Sequence, residues 1–131
     1  MELAEICDRI RQDYATFPHH QSYDLYAENV FFQDPLNRFH GVDRYRTMIG
    51  FIDRWFQTPN LELHALETHS PDGFQTRWTL SWVTPLPWKP AMSISGWTDY
   101  RINDAGQIVS HIDYWNCSRW DVLKQVFRSS M

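Results

Sequence analysis

The chain has 131 residues, of which 43% are hydrophobic and 16% aromatic, and this composition excludes a disordered chain. Its formal net charge is −4 and its basic residues are scattered, which argues against nucleic acid as a partner. No segment approaches the roughly 18 apolar residues of a membrane span, and the charged N-terminus does not resemble a signal peptide. We therefore expect one cytoplasmic domain over residues 1–131, with no membrane partner.

Aromatic residues are more abundant than such a small core requires, since the chain has seven Trp, six Tyr and eight Phe. This composition fits either a cavity lined by rings or simply an aromatic-rich core. Cys7 and Cys117 lie far apart and lack the close spacing of a metal site. We expect both to be free thiols in a reducing compartment.

The N-terminal third is predicted to contain two helices and a short strand. Apolar residues at three- and four-residue spacing between Leu3 and Tyr14 predict a first helix, which the segment FPHHQS ends at Pro18. Ser22 is placed to cap a short second helix. That helix is expected to carry Tyr23, Tyr26 and Ala27. A short strand follows and ends at Pro35, which cannot donate to a ladder.

The strand before Pro35 carries an unexpected carboxylate. Alternation places Val30, Phe32 and Asp34 on one face, so Asp34 points the same way as two apolar side chains. Asp34 either lies where the buried face reaches a functional site or caps the turn of the segment DPLN. Asp before Pro is common in turns, so the residues alone leave both interpretations open.

The rest of the chain is predicted to form one long helix, four strands and a last helix. A long third helix is predicted within residues 40–56, ended by the segment QTPN, and Gly50 inside it costs about 1 kcal/mol relative to alanine. Four strands follow, at about 61–70, 74–84, 92–102 and 107–116. Ser118 and Asp121 form a capping box for a last helix through Phe127. Helices before a four-strand antiparallel meander predict an α+β fold with helices on one side of a curved sheet.

Two of these strands carry candidate site residues. Trp78 and Trp82 share one face of their strand, either as plain core or as flat walls of a cavity. His111, Asp113 and Trp115 share one face of the last strand. The His-x-Asp pattern places an imidazole beside a carboxylate, either inside a site or in a polar patch that faces water.

Two longer segments resemble a known group of proteins. LYAENVFFQDPLNRFHGVDRYRTMI and GWTDYRINDAGQIVSHIDYWN are similar to the signature stretches of the nuclear transport factor 2-like superfamily, which includes SnoaL-like cyclases and ketosteroid isomerases. With the order of elements, the resemblance covers residues 3 to 127. It implies a cone, in which a bent sheet wraps around helices and encloses a deep pocket. Such short motifs specify a fold far better than a reaction.

The resemblance also implies roles for individual residues. Asp34 matches the Asp-Pro carboxylate that transfers protons in ketosteroid isomerases, and Trp115 matches a pocket tryptophan. The protonated aspartate of those enzymes falls on Thr98, and their tyrosine falls on Ile10 or Tyr14. Losing an acidic oxyanion donor costs on the order of 3 kcal/mol of transition-state stabilisation if the chemistry is otherwise the same. The chain is therefore not expected to be a ketosteroid isomerase.

Two functions remain open. The first is binding of a small apolar molecule, without catalysis. For that function the expected ligand-binding residues are Tyr14, Phe32, Trp78, Trp82, Thr98 and Trp115. The second is a cofactor-independent isomerase, cyclase or dehydratase. Its catalytic residues would be Asp34 as general base, with His111 and Asp113 as acid and orienting partner.

Neither function requires a metal or another cofactor, and none is expected. The outer face of the sheet is expected to be apolar, and many members of the superfamily form dimers through this face. Its apolar residues are expected to be Trp97, Ile108, Ile112 and Tyr114. We therefore expect a homodimer through the outer sheet face.

Overall fold

A computed structural model describes residues 2–127, which form three α-helices and six β-strands. The helices are α1 (Leu3–Thr16), α2 (Val42–Trp55) and α3 (Arg119–Val126). The strands are β1 (Tyr26–Gln33), β2 (Arg38–His40), β3 (Gln57–Ser70), β4 (Gly73–Val83), β5 (Ala91–Ile102) and β6 (Ile108–Trp115). No helix within this part of the chain is long and apolar enough to cross a membrane.

All six strands belong to one sheet, in the order β2-β1-β6-β5-β4-β3. The last four strands form the antiparallel meander that the sequence predicts. β1 joins this meander by pairing with β6 in parallel, with Phe32 opposite His111. The α+β prediction is confirmed, and the parallel pair makes the sheet mixed.

The core lies between the helices and one face of the sheet. α1 contributes the apolar stripe predicted from its spacing, and Ile6 and Ile10 are almost fully buried. The alternation predicted for β4 also holds, since Phe74, Trp78 and Trp82 are buried. Hydrophobic residues recurring at helical and strand periods therefore explain how these elements pack.

Gly41 sets the start of α2. It adopts a φ of 111°, a region that side-chain-bearing residues rarely adopt, and its N–H donates to the Val30 carbonyl at 2.9 Å. The helix then runs through Gly50 to Trp55, as predicted. The capping box of Ser118 and Asp121 is likewise present at the start of α3.

Two predicted elements differ from the structure, and one strand was not predicted. The second helix is only a 3₁₀ turn at Tyr23–Leu25, since no Ser22 side-chain cap forms and Tyr26 already has extended backbone. β3 begins at Gln57, because Pro59 is tolerated in an edge strand. β2 was not predicted, since it is only three residues long.

One prediction for the outer sheet face is wrong. Ile108 has no exposed surface and belongs to the core. The pairing of β5 with β6 shifts between Arg101 and Ile102, so the alternation of β6 reverses before Ser110. On the outer face itself, the rings of Trp97 and Tyr114 stack with their centres 5.1 Å apart.

Candidate functional site

A cavity of about 310 Å³ lies between the inner face of the sheet and the helices. Its wall is mostly apolar and aromatic. All nine candidate residues line it: Tyr14, Phe32, Asp34, Trp78, Trp82, Thr98, His111, Asp113 and Trp115. The structure thus brings these side chains around one space, and their roles in binding or catalysis stay predictions.

Asp34 lies immediately after β1 and both caps a turn and lines the cavity. Its Oδ1 accepts hydrogen bonds from the backbone N–H groups of Leu36 at 2.7 Å and Asn37 at 2.6 Å. The side-chain amide of Asn37 donates to both carboxylate oxygens. Burial raises the pKa of Asp34, and the nearby charge of Asp113 adds to this effect.

Asp113 receives two hydrogen bonds on one carboxylate oxygen. The Thr98 hydroxyl donates to Oδ1 at 2.5 Å, and His111 Nε2 lies 3.0 Å from the same atom. Thr98 in turn accepts a hydrogen bond from the Trp78 indole N–H at 2.8 Å. Because Thr98 and Asp113 are directly opposite in the β5–β6 ladder, strand pairing itself creates this contact.

His111 is only 5% exposed and is surrounded by rings. The ring centres of Phe32, Tyr45 and Tyr100 lie 4.7 to 5.3 Å from that of the imidazole. A carboxylate accepts only, so Nε2 carries the proton that is donated to Asp113. Nδ1 lies 3.4 Å from the Tyr26 hydroxyl. Both ring nitrogens are therefore engaged within the protein.

The hydroxyl of Tyr14 is also engaged within the protein. It lies 2.8 Å from the Thr76 hydroxyl and 3.0 Å from the Tyr100 hydroxyl. Burial raises the pKa of Tyr14 to about 12, so the phenol stays neutral at physiological pH. Ile10 lines the same cavity but offers no polar group, so Tyr14 is the phenol at this place in the wall.

The two tryptophans of β4 satisfy both interpretations made from the sequence. Trp78 and Trp82 are buried in the hydrophobic core and also line the cavity. The ring of Phe56 stacks on that of Trp82 with their centres 4.4 Å apart. The same side chains therefore belong to both the core and the cavity wall.

Sequence reasoning missed several residues that shape the site. The strand and helix periods contain part of the signal, because Tyr100 alternates with Thr98 along β5 and Tyr45 belongs to the apolar stripe of α2. Asn37, which fixes the Asp34 carboxylate, had no periodic signal because it lies in a turn. Among residues 2–127, no three His, Cys, Asp or Glu side chains are placed together to hold a metal ion.

Replacing Asp34 with asparagine is expected to stabilise the fold at neutral pH. Because burial raises its pKa above 3.8, the folded chain binds the proton more tightly than the unfolded chain. Its contribution is therefore fully present below pH 3.8 and is lost as pH rises through the raised pKa. Urea unfolding at several pH values should show that Asp34→Asn gains stability at pH 7, relative to the native chain, and that this gain shrinks towards pH 4.

Asp104→Asn is the matched control, since Asp104 is exposed in a turn. It should follow the native chain at every pH. A loss of stability for Asp34→Asn at neutral pH would show that the hydrogen bonds in the DPLN turn outweigh the cost of burying the charge.

Comparison with solved structures shows the architecture. A nuclear transport factor 2-like protein of unknown function from Burkholderia pseudomallei is 13% identical, with a TM-score of 0.74 over 93% of this chain and 97% of that one. A protein with a ketosteroid isomerase-like fold from Catenulispora acidiphila, in complex with trimethylamine, is 15% identical, with a TM-score of 0.73 over 92% and 91%. A LEH-like epoxide hydrolase from M. tuberculosis is 14% identical, with a TM-score of 0.66 over 95% and 84%.

Comparison of sequences identifies the family. No curated protein matches the chain. The family described as "Uncharacterized conserved protein (DUF2358)" matches residues 4–111, which include the DPLN turn and β6 as far as His111. The chain therefore belongs to the DUF2358 family and has the nuclear transport factor 2-like fold.

Proposed function

We propose that the chain binds a small, mostly apolar molecule in the cavity. The observation that carries this proposal is a cavity of about 310 Å³ with a wall of mostly aromatic and aliphatic side chains. Cavities of this size and character are typical of small-molecule sites. The Catenulispora protein of the same fold holds trimethylamine, which supports the view that such a fold accommodates a small molecule.

Binding without catalysis is favoured because the two hydroxyl groups that could contact an oxyanion are already hydrogen-bonded within the protein. The Thr98 hydroxyl donates to Asp113, and the Tyr14 hydroxyl bonds to Thr76 and Tyr100. An oxyanion needs donors aimed at the reacting oxygen before the reaction starts. Neither Thr98 nor Tyr14 therefore offers an unengaged hydroxyl, and Ile10, the alternative position for the tyrosine, has none.

Filling the cavity should weaken binding. Leu80 lies on the cavity wall, so Leu80→Trp is expected to weaken binding of the neutral dye N-phenyl-1-naphthylamine by about tenfold or more. The control is Ser81→Trp, which adds the same side chain to the opposite face of β4. A fluorescence titration of the dye with each protein measures the affinities. Equal weakening by both variants, or no dye binding by the native chain, would contradict the proposed function.

A cofactor-independent acid–base enzyme is the second candidate. It is favoured by one observation, that Asp34, His111 and Asp113 line the same cavity. A raised pKa is the direction that suits a general base, and burial shifts Asp34 that way. The LEH-like epoxide hydrolase shows that the fold also occurs in an enzyme.

The second candidate has a direct test in deuterium exchange. The native chain should catalyse exchange of the α-protons of an apolar cyclic ketone in D₂O, followed by NMR, and Asp34→Asn should abolish the catalysis. Asp104→Asn should leave it unchanged. Exchange that persists in Asp34→Asn would exclude Asp34 as the base.

We further propose a homodimer through the outer sheet face, in the cytoplasm. The stacked rings of Trp97 and Tyr114 support the interface, since Tyr114 is 39% exposed there. Sedimentation should show a dimer that Tyr114→Lys dissociates, whereas Asp104→Lys leaves it intact. A monomeric native chain would exclude this assembly.

A further inference from the structure

The charged side chains of the cavity wall are all of one sign. Asp13, Asp34 and Asp113 line the cavity, and no lysine or arginine does so within the described part of the chain. An anionic ligand would therefore meet carboxylates and no lysine or arginine, and the imidazole of the described wall, His111, is already bonded to Asp113 through Nε2. Repulsion between like charges is strongest where water is excluded, so the wall disfavours anions.

The three carboxylates differ in how fully their oxygens are used. Asp13 accepts hydrogen bonds from the Ser22 backbone N–H and hydroxyl, one on each oxygen. Asp34 accepts on both oxygens within its turn. In Asp113 both hydrogen bonds reach Oδ1, and no residue between 2 and 127 donates to Oδ2.

The second oxygen of Asp113 is accessible, and the residue lines the cavity. Within the described residues, every fully buried side-chain nitrogen or oxygen has a hydrogen-bond partner. Because Oδ2 has none and Asp113 lines the cavity, this atom lies on the accessible wall. Trp115 follows on the same face of β6, also on the cavity wall.

An open carboxylate oxygen beside aromatic rings recognises one class of ligand group. Aromatic faces carry negative charge density and attract cations, most strongly for Trp and when water is excluded. A carboxylate oxygen that accepts no hydrogen bond from the protein can pair with the positive charge of an ammonium group. We propose that the ligand of this cavity carries an ammonium or quaternary amine group beside Asp113, joined to an apolar body. This inference rests on the proposed binding function.

Three probes of nearly the same size separate charge from shape. Benzyltrimethylammonium is the cation, neopentylbenzene is its neutral carbon isostere and phenylacetate is an anion. Calorimetric titration of the full chain should show that the cation binds about tenfold or more tighter than the isostere. Phenylacetate should bind more weakly than either.

Asp113→Asn should reduce the preference for the cation over the isostere to about twofold or less. Asp99→Asn is the matched control, because Asp99 lies on the opposite face of β5 and the variant loses the same charge. It should keep the full preference. Should Asp113→Asn fail to unfold cooperatively, Trp115→Leu tests the same preference by removing the adjacent ring.

The outcomes separate this inference from the proposed function. If the isostere binds as tightly as the cation, or if Asp113→Asn keeps the preference, the inference is overturned while the binding function stands. If none of the three probes binds but N-phenyl-1-naphthylamine does, the inference is again overturned alone. If neither the probes nor the dye bind, both proposals fail.

Discussion

Replacing Gly96 with alanine is expected to destabilise the fold by about 3 kcal/mol or more. A methyl group at this position would lie 2.0 Å from the carbonyl oxygen of Tyr114 in the neighbouring strand. Backbone cannot yield to such a contact as a flexible side chain does, so β5 and β6 must separate locally. Urea unfolding followed by circular dichroism measures the loss of stability.

Gly50→Ala is the matched control for Gly96→Ala. Gly50 lies inside α2, and an added methyl group would meet no atom within 4 Å. Alanine favours a helix interior over glycine by about 0.5–1 kcal/mol, so this variant should be stabilised. A Gly96→Ala chain that unfolds within about 1 kcal/mol of the native chain would contradict the close approach of these strands.

His111→Ala is expected to cost about 3 kcal/mol of stability. The substitution removes a ring packed among Phe32, Tyr45 and Tyr100, and it takes away one of the two donors to Asp113. The empty space left by the ring and the lost hydrogen bond to the Asp113 carboxylate each destabilise the fold, and the two effects add. The free energy of unfolding from urea titrations, at a pH near 7, is the measurement.

The exposed His69 of β3 provides the control, since His69→Ala should change stability by less than about 0.5 kcal/mol. Binding of N-phenyl-1-naphthylamine by folded His111→Ala gives a second result. If stability falls and dye binding persists, His111 is a structural part of the wall. If stability stays native, the packing of the imidazole contributes little and this account of His111 is wrong.

Much of the fold could be predicted from local patterns. The helical stripe through Ile6 and Ile10 and the alternation of β4 follow from the periods of the two elements, and the capping box at Ser118 is a short-range signal. Tyr26 was misassigned because an aromatic residue after a turn fits a helix or a strand equally well. Its place was decided by contact with His111, which lies far away in sequence.

The candidate site could not be predicted from local sequence patterns alone. Alternation places His111 and Asp113 on one face, but it does not say which face is the inner one. Only the resemblance to a known fold related Asp34 to that face, because the pairing of β1 with β6 leaves no periodic signal. Alternation also placed Ile108 on the wrong face of the sheet. The β5–β6 pairing is irregular near the start of β6, so the side chains there do not follow the alternation of the rest of the strand.

The parallel contact between Phe32 and His111 has a consequence for the order of folding. These residues are separated along the chain by α2 and four strands, and closing such a long loop is slow and entropically costly. The part of the cavity wall formed by Phe32 and His111 is thus expected to be completed late, once the meander exists as a template for the N-terminal strand. A partly folded chain would then have most of its hairpins but no affinity for a ligand. During refolding, recovery of ligand binding should therefore follow recovery of the β-strand circular dichroism signal rather than accompany it.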